Sequence, residues 1–323
     1  MMNISDAADA GDFVVRAYDA YHDAPSALFP AVALPPGCDF VAWVTMEDFL
    51  IEPGPNDQRF YGFIAHVTAT DHYVFALRGT EGWREWWDDF HVVLVPFPGV
   101  TRDGKVAYGF RTIYETLDIT YVNQDVYAFH APHLGRMGAE QTFTEKLRSV
   151  LRVHEAERRS VAGAERVNAD QIGLDCVGMT LTGHSLGGAL CTLIVMQNDF
   201  EESDLKPTAI YTFASPRVGD GLFADRFDNL DLVKWRIYNR PDLVPTLPFE
   251  IFGFVHVGLD YPVDTRRLPE IKWTISCWHD IHSYLAALGV TMDPNCSCHT
   301  NALAGKDAVV VEQMQIQRRA FGH

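Results

Sequence analysis

The sequence predicts an α/β fold, a mostly parallel central sheet with helices on both faces. Three observations carry that expectation. Short apolar runs rich in β-branched and aromatic residues (Tyr73 to Leu77, Cys176 to Thr182, Thr208 to Ala214, Leu232 to Tyr238) alternate with helical patterns at Phe143 to His154 and Leu186 to Met196. One strand-to-helix change falls on Thr182-Gly183-His184-Ser185-Leu186-Gly187-Gly188-Ala189-Leu190, which sets a serine between glycines. No internal repeat and no Ser/Gly-rich linker divides the 323 residues, so one domain over 1–323 is expected.

Composition narrows the function classes. Hydrophobic residues at 47% and charged residues at 21% supply an ordinary core. The 26 basic against 43 acidic residues leave a net charge of -17, which argues against nucleic acid and strongly anionic membranes as partners. Met1 to Asp9 has neither a basic n-region nor an apolar h-region, and no apolar run approaches a membrane span. A cytoplasmic protein with reduced thiols is therefore expected, with release by a leaderless route left open. Cys296, Cys298 and His299 invite a zinc reading, but their spacing matches no common site and a second ligand pair is missing. No metal or organic cofactor is expected.

In chain order, Phe13, Val14, Ala17, Tyr18 and Tyr21 follow helical spacing and predict a structural helix over Ala7 to Tyr21. Phe40 to Val44 and Phe60 to Val67 read as strands around the turn-forming Pro53-Gly54-Pro55-Asn56-Asp57. Tyr73 to Thr80 is an apolar strand ending in Arg78-Gly79-Thr80. Trp83, Trp86 and Trp87 beyond it share one helix face, either a core stripe or an exposed surface. Gln124 to Gly138, with His130, Pro132 and His133, reads as a loop or insertion. Phe143, Leu147, Val150 and Leu151 line an amphipathic helix that His154 bounds. Val290 to His323 carries no visible chemistry.

At the serine, Gly183 and Gly187 leave room for the chain to pass closely, and the turn lifts the Ser185 hydroxyl above the sheet. The first amides of the following helix aim at the same point, where their partial positive charge suits an oxyanion. Gly183 to Leu190 resembles the elbow of the class 3 lipases, a family with the α/β-hydrolase fold. That resemblance implies an oxyanion contact from Thr80, at the end of its strand, beside the N–H of Leu186. It also implies a lid over the segment of Trp83, Trp86 and Trp87. Gly109-Phe110 and Tyr114 match a further family segment, with Ala107 where the family commonly has His.

A serine nucleophile needs a base, and the base an orienting acid. Asp220 and Asp242 both follow strands. Asp242, in Asn239-Arg240-Pro241-Asp242-Leu243-Val244-Pro245, is preferred because this stretch resembles the acid loop of the family. His279 and His282 are the contenders for the base. His279, five residues before Tyr284, is preferred on the family's spacing, while His256 reads as packing. The resemblance implies a carboxylic ester hydrolase, a lipase cleaving acylglycerols at a lipid–water interface through an acyl-enzyme. A short-chain esterase, phospholipase A1 or feruloyl esterase stands as the alternative, and a catalytically idle binding relative is the reading from another class.

Overall fold

The computed structural model of the chain describes residues 1–47, 58–80, 92–97, 104–130, 141–161 and 167–301. Helix α1 (Ile4–Asp23) is capped by Asn3, whose side chain accepts the Ser5 N–H at 3.1 Å, a contact worth about 1 kcal/mol. Strands β1 (Cys38–Glu47), β2 (Gln58–Val67) and β3 (His72–Leu77) follow as antiparallel neighbours. Short strands β4 (Leu94–Pro96) and β5 (Lys105–Ala107) lead to helix α2 (Tyr108–Tyr114) and strand β6 (Asp118–Tyr121). Helices α3 (Gln124–His130) and α4 (Phe143–Val161) precede strand β7 (Gly178–His184) and helix α5 (Leu186–Phe200). Then come β8 (Ala209–Phe213), β9 (Gly219–Asp220), α6 (Gly221–Asp228), β10 (Val233–Asn239), β11 (Phe254–Val255) and β12 (Leu259–Val263). Two short helices, α7 (Ile275–His279) and α8 (Ile281–Ala287), follow.

Among the described residues the main sheet has the order β12-β10-β8-β7-β3-β2-β1-β6. From β3 to β12 every pair is parallel, and the β1, β2, β3 and β6 pairings are antiparallel. The pleat sorts the core. Tyr73, Phe75 and Leu77 face α4 and α5 in one cluster, while Val74 and Ala76 face Phe13 and Ala17 of α1 in another. Likewise Ile210 joins the α5 side, and Tyr211 and Phe213 meet Tyr284 and Leu285 of α8. Each large side chain so buried contributes roughly 1.5–3 kcal/mol. A smaller sheet, β11-β9-β5-β4, lies apart from the main one.

Several expectations are corrected. The stretch from Gln124 contains helix α3, because Val126 and Tyr127 pack on the core beside β6 and α4. His154 does not bound its helix: α4 continues to Val161, and His154 is buried within it. Cys277 and Cys298, expected as free thiols, form a disulfide with their Cα atoms 5.2 Å apart. The Pro53 to Asp57 turn, the Trp83, Trp86 and Trp87 stripe, Pro132 and His133, and the chain beyond Asn301 lie outside the described residues. No described helix is long and apolar enough to cross a membrane.

Candidate active site

Strand β7 ends at His184, α5 begins at Leu186, and Ser185 between them has φ 56° and ψ -123°, a conformation costly for a residue with a side chain. The turn is tight because its neighbours are bare. A Cβ on Gly183 would lie 2.4 Å from the Gly187 backbone, and one on Gly187 would lie 2.5 Å from the carbonyl of Arg78. The Ser185 N–H donates to the Phe213 carbonyl at 2.8 Å, which fixes the turn to β8. Leu186 is the first residue of its helix, so its N–H has no intrahelical acceptor.

Thr80 follows the end of β3, and its neighbour Gly79 backs directly on Ser185, where an added Cβ would lie 2.9 Å from the serine Cβ. The Thr80 hydroxyl is buried and has no hydrogen-bond partner among the described residues. It lines a cavity of about 260 Å³ together with His279, His184, Tyr18 and His282. A larger cavity of about 520 Å³, at the opposite ends of β7, β8 and β10, holds none of these groups.

The loops after β10 and β12 bring the remaining groups in. His279 Nε2 is 2.9 Å from Ser185 Oγ, and His279 Nδ1 is 2.8 Å from Asp242 Oδ2. A carboxylate only accepts, so Nδ1 carries a proton and Nε2 is left to receive the serine proton. All three side chains are buried, with Asp242 2% exposed. The placement of His279 is local in origin. Thr274 caps α7 through the Cys277 N–H, and Asp280, extended at φ -75° and ψ 134°, ends α7 and caps α8 through the His282 N–H. The break at Asp280 separates the two helices just after His279.

The other contenders have different duties. Asp220 caps α6 by accepting the Phe223 N–H at 3.0 Å. His282 Nδ1 lies 3.1 Å from Asp280, whose carboxylate draws its pKa upward. His256 donates Nε2–H to the Pro245 carbonyl at 2.7 Å, and burial, with Arg236 and Arg217 nearby, lowers its pKa to about 2. Arg78 is buried between the rings of Tyr21 and Tyr61 and donates to the carbonyls of Phe60 and Gly79.

Four residues, Tyr284, Asn239, Tyr18 and His184, shape the site in roles that the sequence did not announce. Asp242 Oδ2 also accepts the Tyr284 hydroxyl at 2.6 Å, and Asp242 Oδ1 accepts the Val244 N–H at 3.0 Å, so the carboxylate is held on both oxygens. Tyr284 in turn accepts the Asn239 N–H, while the Asn239 side chain donates to Thr265 and to the carbonyl of Trp278. Burial, then the Asp242 charge, keep the Tyr284 phenol protonated far above its ordinary range. Tyr18 of α1 accepts the Gly79 N–H at 2.8 Å and donates to His184 Nδ1 at 2.8 Å. His184 Nε2–H donates to the backbone carbonyl of His279 at 2.7 Å. Burial, and then the nearness of His279, hold the pKa of His184 well below the ordinary value. A neutral ring of this tautomer is a strut between Tyr18 and His279. Helix α1, expected to be only structural, thus reaches the site.

Chemically, the arrangement presents a hydroxyl, a proton acceptor for it, a carboxylate to stabilise the resulting cation, and two open donors. That set suits attack on a carbonyl and stabilisation of the oxyanion that follows.

The family model for lipase (class 3) matches residues 74–252. Phospholipase A1-II 3 of Oryza sativa subsp. indica is 30% identical over 258 residues, covering 74% of this chain and 54% of that protein. The chain spans about half the length of the curated relatives it matches. Among solved structures, the native Rhizomucor miehei lipase propeptide complex is similar with a TM-score of 0.54 at 18% identity, over 92% of this chain and 81% of that one. The lipase from Rhizopus microsporus var. chinensis gives 0.51 at 18% identity, over 93% and 89%. At such identities the likeness establishes the fold, that of the α/β-hydrolases.

Proposed function

The chain belongs to the class 3 lipase family, and from that premise we propose that it is a serine carboxylic ester hydrolase acting on acylglycerol esters. The observation that carries this reading is the hydrogen-bonded series Asp242–His279–Ser185 set beside the open Thr80 hydroxyl and the first amide of α5. Ser185 Oγ attacks the ester carbonyl as its proton passes to His279 Nε2. Asp242 keeps the tautomer and stabilises the imidazolium. The carbonyl oxygen, now negative, accepts from the Leu186 N–H and from Thr80. His279 returns the proton to the departing alkoxide, and water, deprotonated by His279, releases the acyl group from Ser185.

A lipid surface is the proposed place of action. Val93, Leu222, Phe249, Ile251, Phe252 and Val255 are exposed around the small sheet, and Ile251 is 87% accessible. The net charge of -17 favours neutral or zwitterionic surfaces over anionic ones. A phospholipase A1 activity is the second reading, favoured by the name of the rice relative.

Initial rates on a graded series would test the proposal: a soluble acetyl ester, an emulsified long-chain triacylglycerol and a phosphatidylcholine dispersion, with Ser185→Ala as the blank. Hydrolysis of long-chain esters, falling by on the order of 10⁶-fold in the blank, is expected. Undiminished activity in Ser185→Ala would overturn the mechanism. Preference for phosphatidylcholine over triacylglycerol would select the second reading.

A further inference from the structure

Beside His279, the chain gathers three side chains that the proposed chemistry does not use. One donor atom each from Asp280, His282 and Cys296 lies within 4.8 Å of the other two, and all three residues are half-buried. We propose that Asp280, His282 and Cys296 form a binding site for a divalent cation of the zinc class, tying α8 to the turn that carries Cys296.

The donor set is the first argument. A thiolate, an imidazole and a carboxylate suit a borderline ion such as zinc and suit calcium or magnesium poorly. A tetrahedral ion with bonds of about 2.0–2.3 Å holds its ligand atoms roughly 3.5 Å apart, so the three close by at most about 1.3 Å. Water takes the fourth position, and His282 already lines the open cavity through which an ion enters.

Preorganisation is the second. Asp280 is fixed as the cap of α8, with Oδ1 accepting the His282 N–H at 2.9 Å. Cys296 sits in a turn closed by its own N–H to the Asp293 carbonyl and by the His299 N–H to its carbonyl. The Cys277–Cys298 disulfide pins that turn to α7. Asp19 and Asp293 add negative charge around His282, so the field attracts a cation.

A second such cluster stands among the described residues: His66, Asp71 and Glu155 also place donors within 4.8 Å of one another, but Arg158 lies 2.7 Å from Asp71 and 2.8 Å from Glu155. That cluster already holds its positive charge.

The test is a titration of the full chain with Co²⁺ in non-reducing buffer, so that the Cys277–Cys298 bond stays closed. One equivalent of Co²⁺ with a thiolate-to-cobalt charge-transfer band is expected, together with a rise in Tm on adding Zn²⁺. Cys296→Ala loses both. Should that variant fold poorly, Asp280→Asn decides the matter: asparagine caps a helix as well as aspartate does, so the fold stays while Co²⁺ affinity falls by at least about 10-fold. Absence of the band in the unmodified chain, its persistence in Cys296→Ala, wild-type affinity in Asp280→Asn, or Cys296 found in a disulfide by peptide mapping would each overturn the proposal.

Discussion

The two ends of the parallel sheet use the same vocabulary for different ends. Beyond the end of β3, Tyr284 donates to Asp242 at 2.6 Å and accepts the Asn239 N–H, next to a histidine. At its start, Tyr73 donates to Glu155 at 2.6 Å and accepts from His154 Nδ1 at 2.6 Å. Both groups are buried tyrosine–carboxylate–histidine clusters. The difference lies in what each leaves open. At the start of β3, Arg158 neutralises Asp71 and Glu155. Past its end, the carboxylate is held by His279, Tyr284 and the Val244 N–H, a strained serine stands over the imidazole, and the Thr80 hydroxyl has no partner among the described residues. A buried polar cluster becomes a site when it stands at the carboxyl ends of parallel strands, with a donor and a nucleophile unspent.

Three measurements sharpen or break that contrast. The largest effect falls on the open donor: Thr80→Val keeps the shape and removes the hydroxyl, and kcat for a soluble ester should fall about 10²- to 10³-fold. A drop of less than threefold would mean that the backbone alone serves the oxyanion. Next comes the tyrosine pair. Tyr284→Phe should lower kcat about 10-fold with KM preserved, since a hydrogen bond to a charged group is worth about 1.5–3 kcal/mol. Tyr73→Phe should lower stability by a similar energy and leave kcat within about twofold; equal kinetic losses in both would erase the distinction between the two ends.

The smallest catalytic effect belongs to pH acting on the far cluster. Burial, and then the nearby His66 and Arg158, lower the His154 pKa to about 4, against about 6.5 in the unfolded chain. The unfolded state therefore binds more protons as the pH falls below about 6.5, and the folded state loses stability until His154 itself protonates near pH 4. Urea unfolding at pH 7.5 and 4.5 should differ by roughly 2–3 kcal/mol more in the unmodified chain than in His154→Asn, with kcat at neutral pH unchanged. Equal pH slopes would refute the assignment.

Legibility in the sequence followed range. The elbow is local: strand, Gly183, Ser185, Gly187 and helix are adjacent, and their pattern alone announces a nucleophile turn. The sheet was legible for the same reason, since each strand carries its own apolar run. The acid was ambiguous because Asp220 and Asp242 both follow strands, and only folding shows that one caps α6 while the other meets His279. Tyr18 could not be read at all, since its partner His184 lies 166 residues away and its helical spacing is already explained by packing. Tyr284 served only as a landmark for counting back to a histidine, whereas its hydroxyl holds the acid. Helix α3 was missed because its polar and aromatic residues bury one face only when β6 and α4 are present.

The separation of Ser185 from its proton acceptor has a temporal consequence. His279 follows the serine by 94 residues, and Tyr284 comes later still. At about 5–20 residues per second the ribosome needs roughly 5 to 20 seconds to bridge that interval. Throughout it the nascent polypeptide carries a hydroxyl with no base to activate it, so a growing chain among cellular esters stays inert until α7 and α8 arrive.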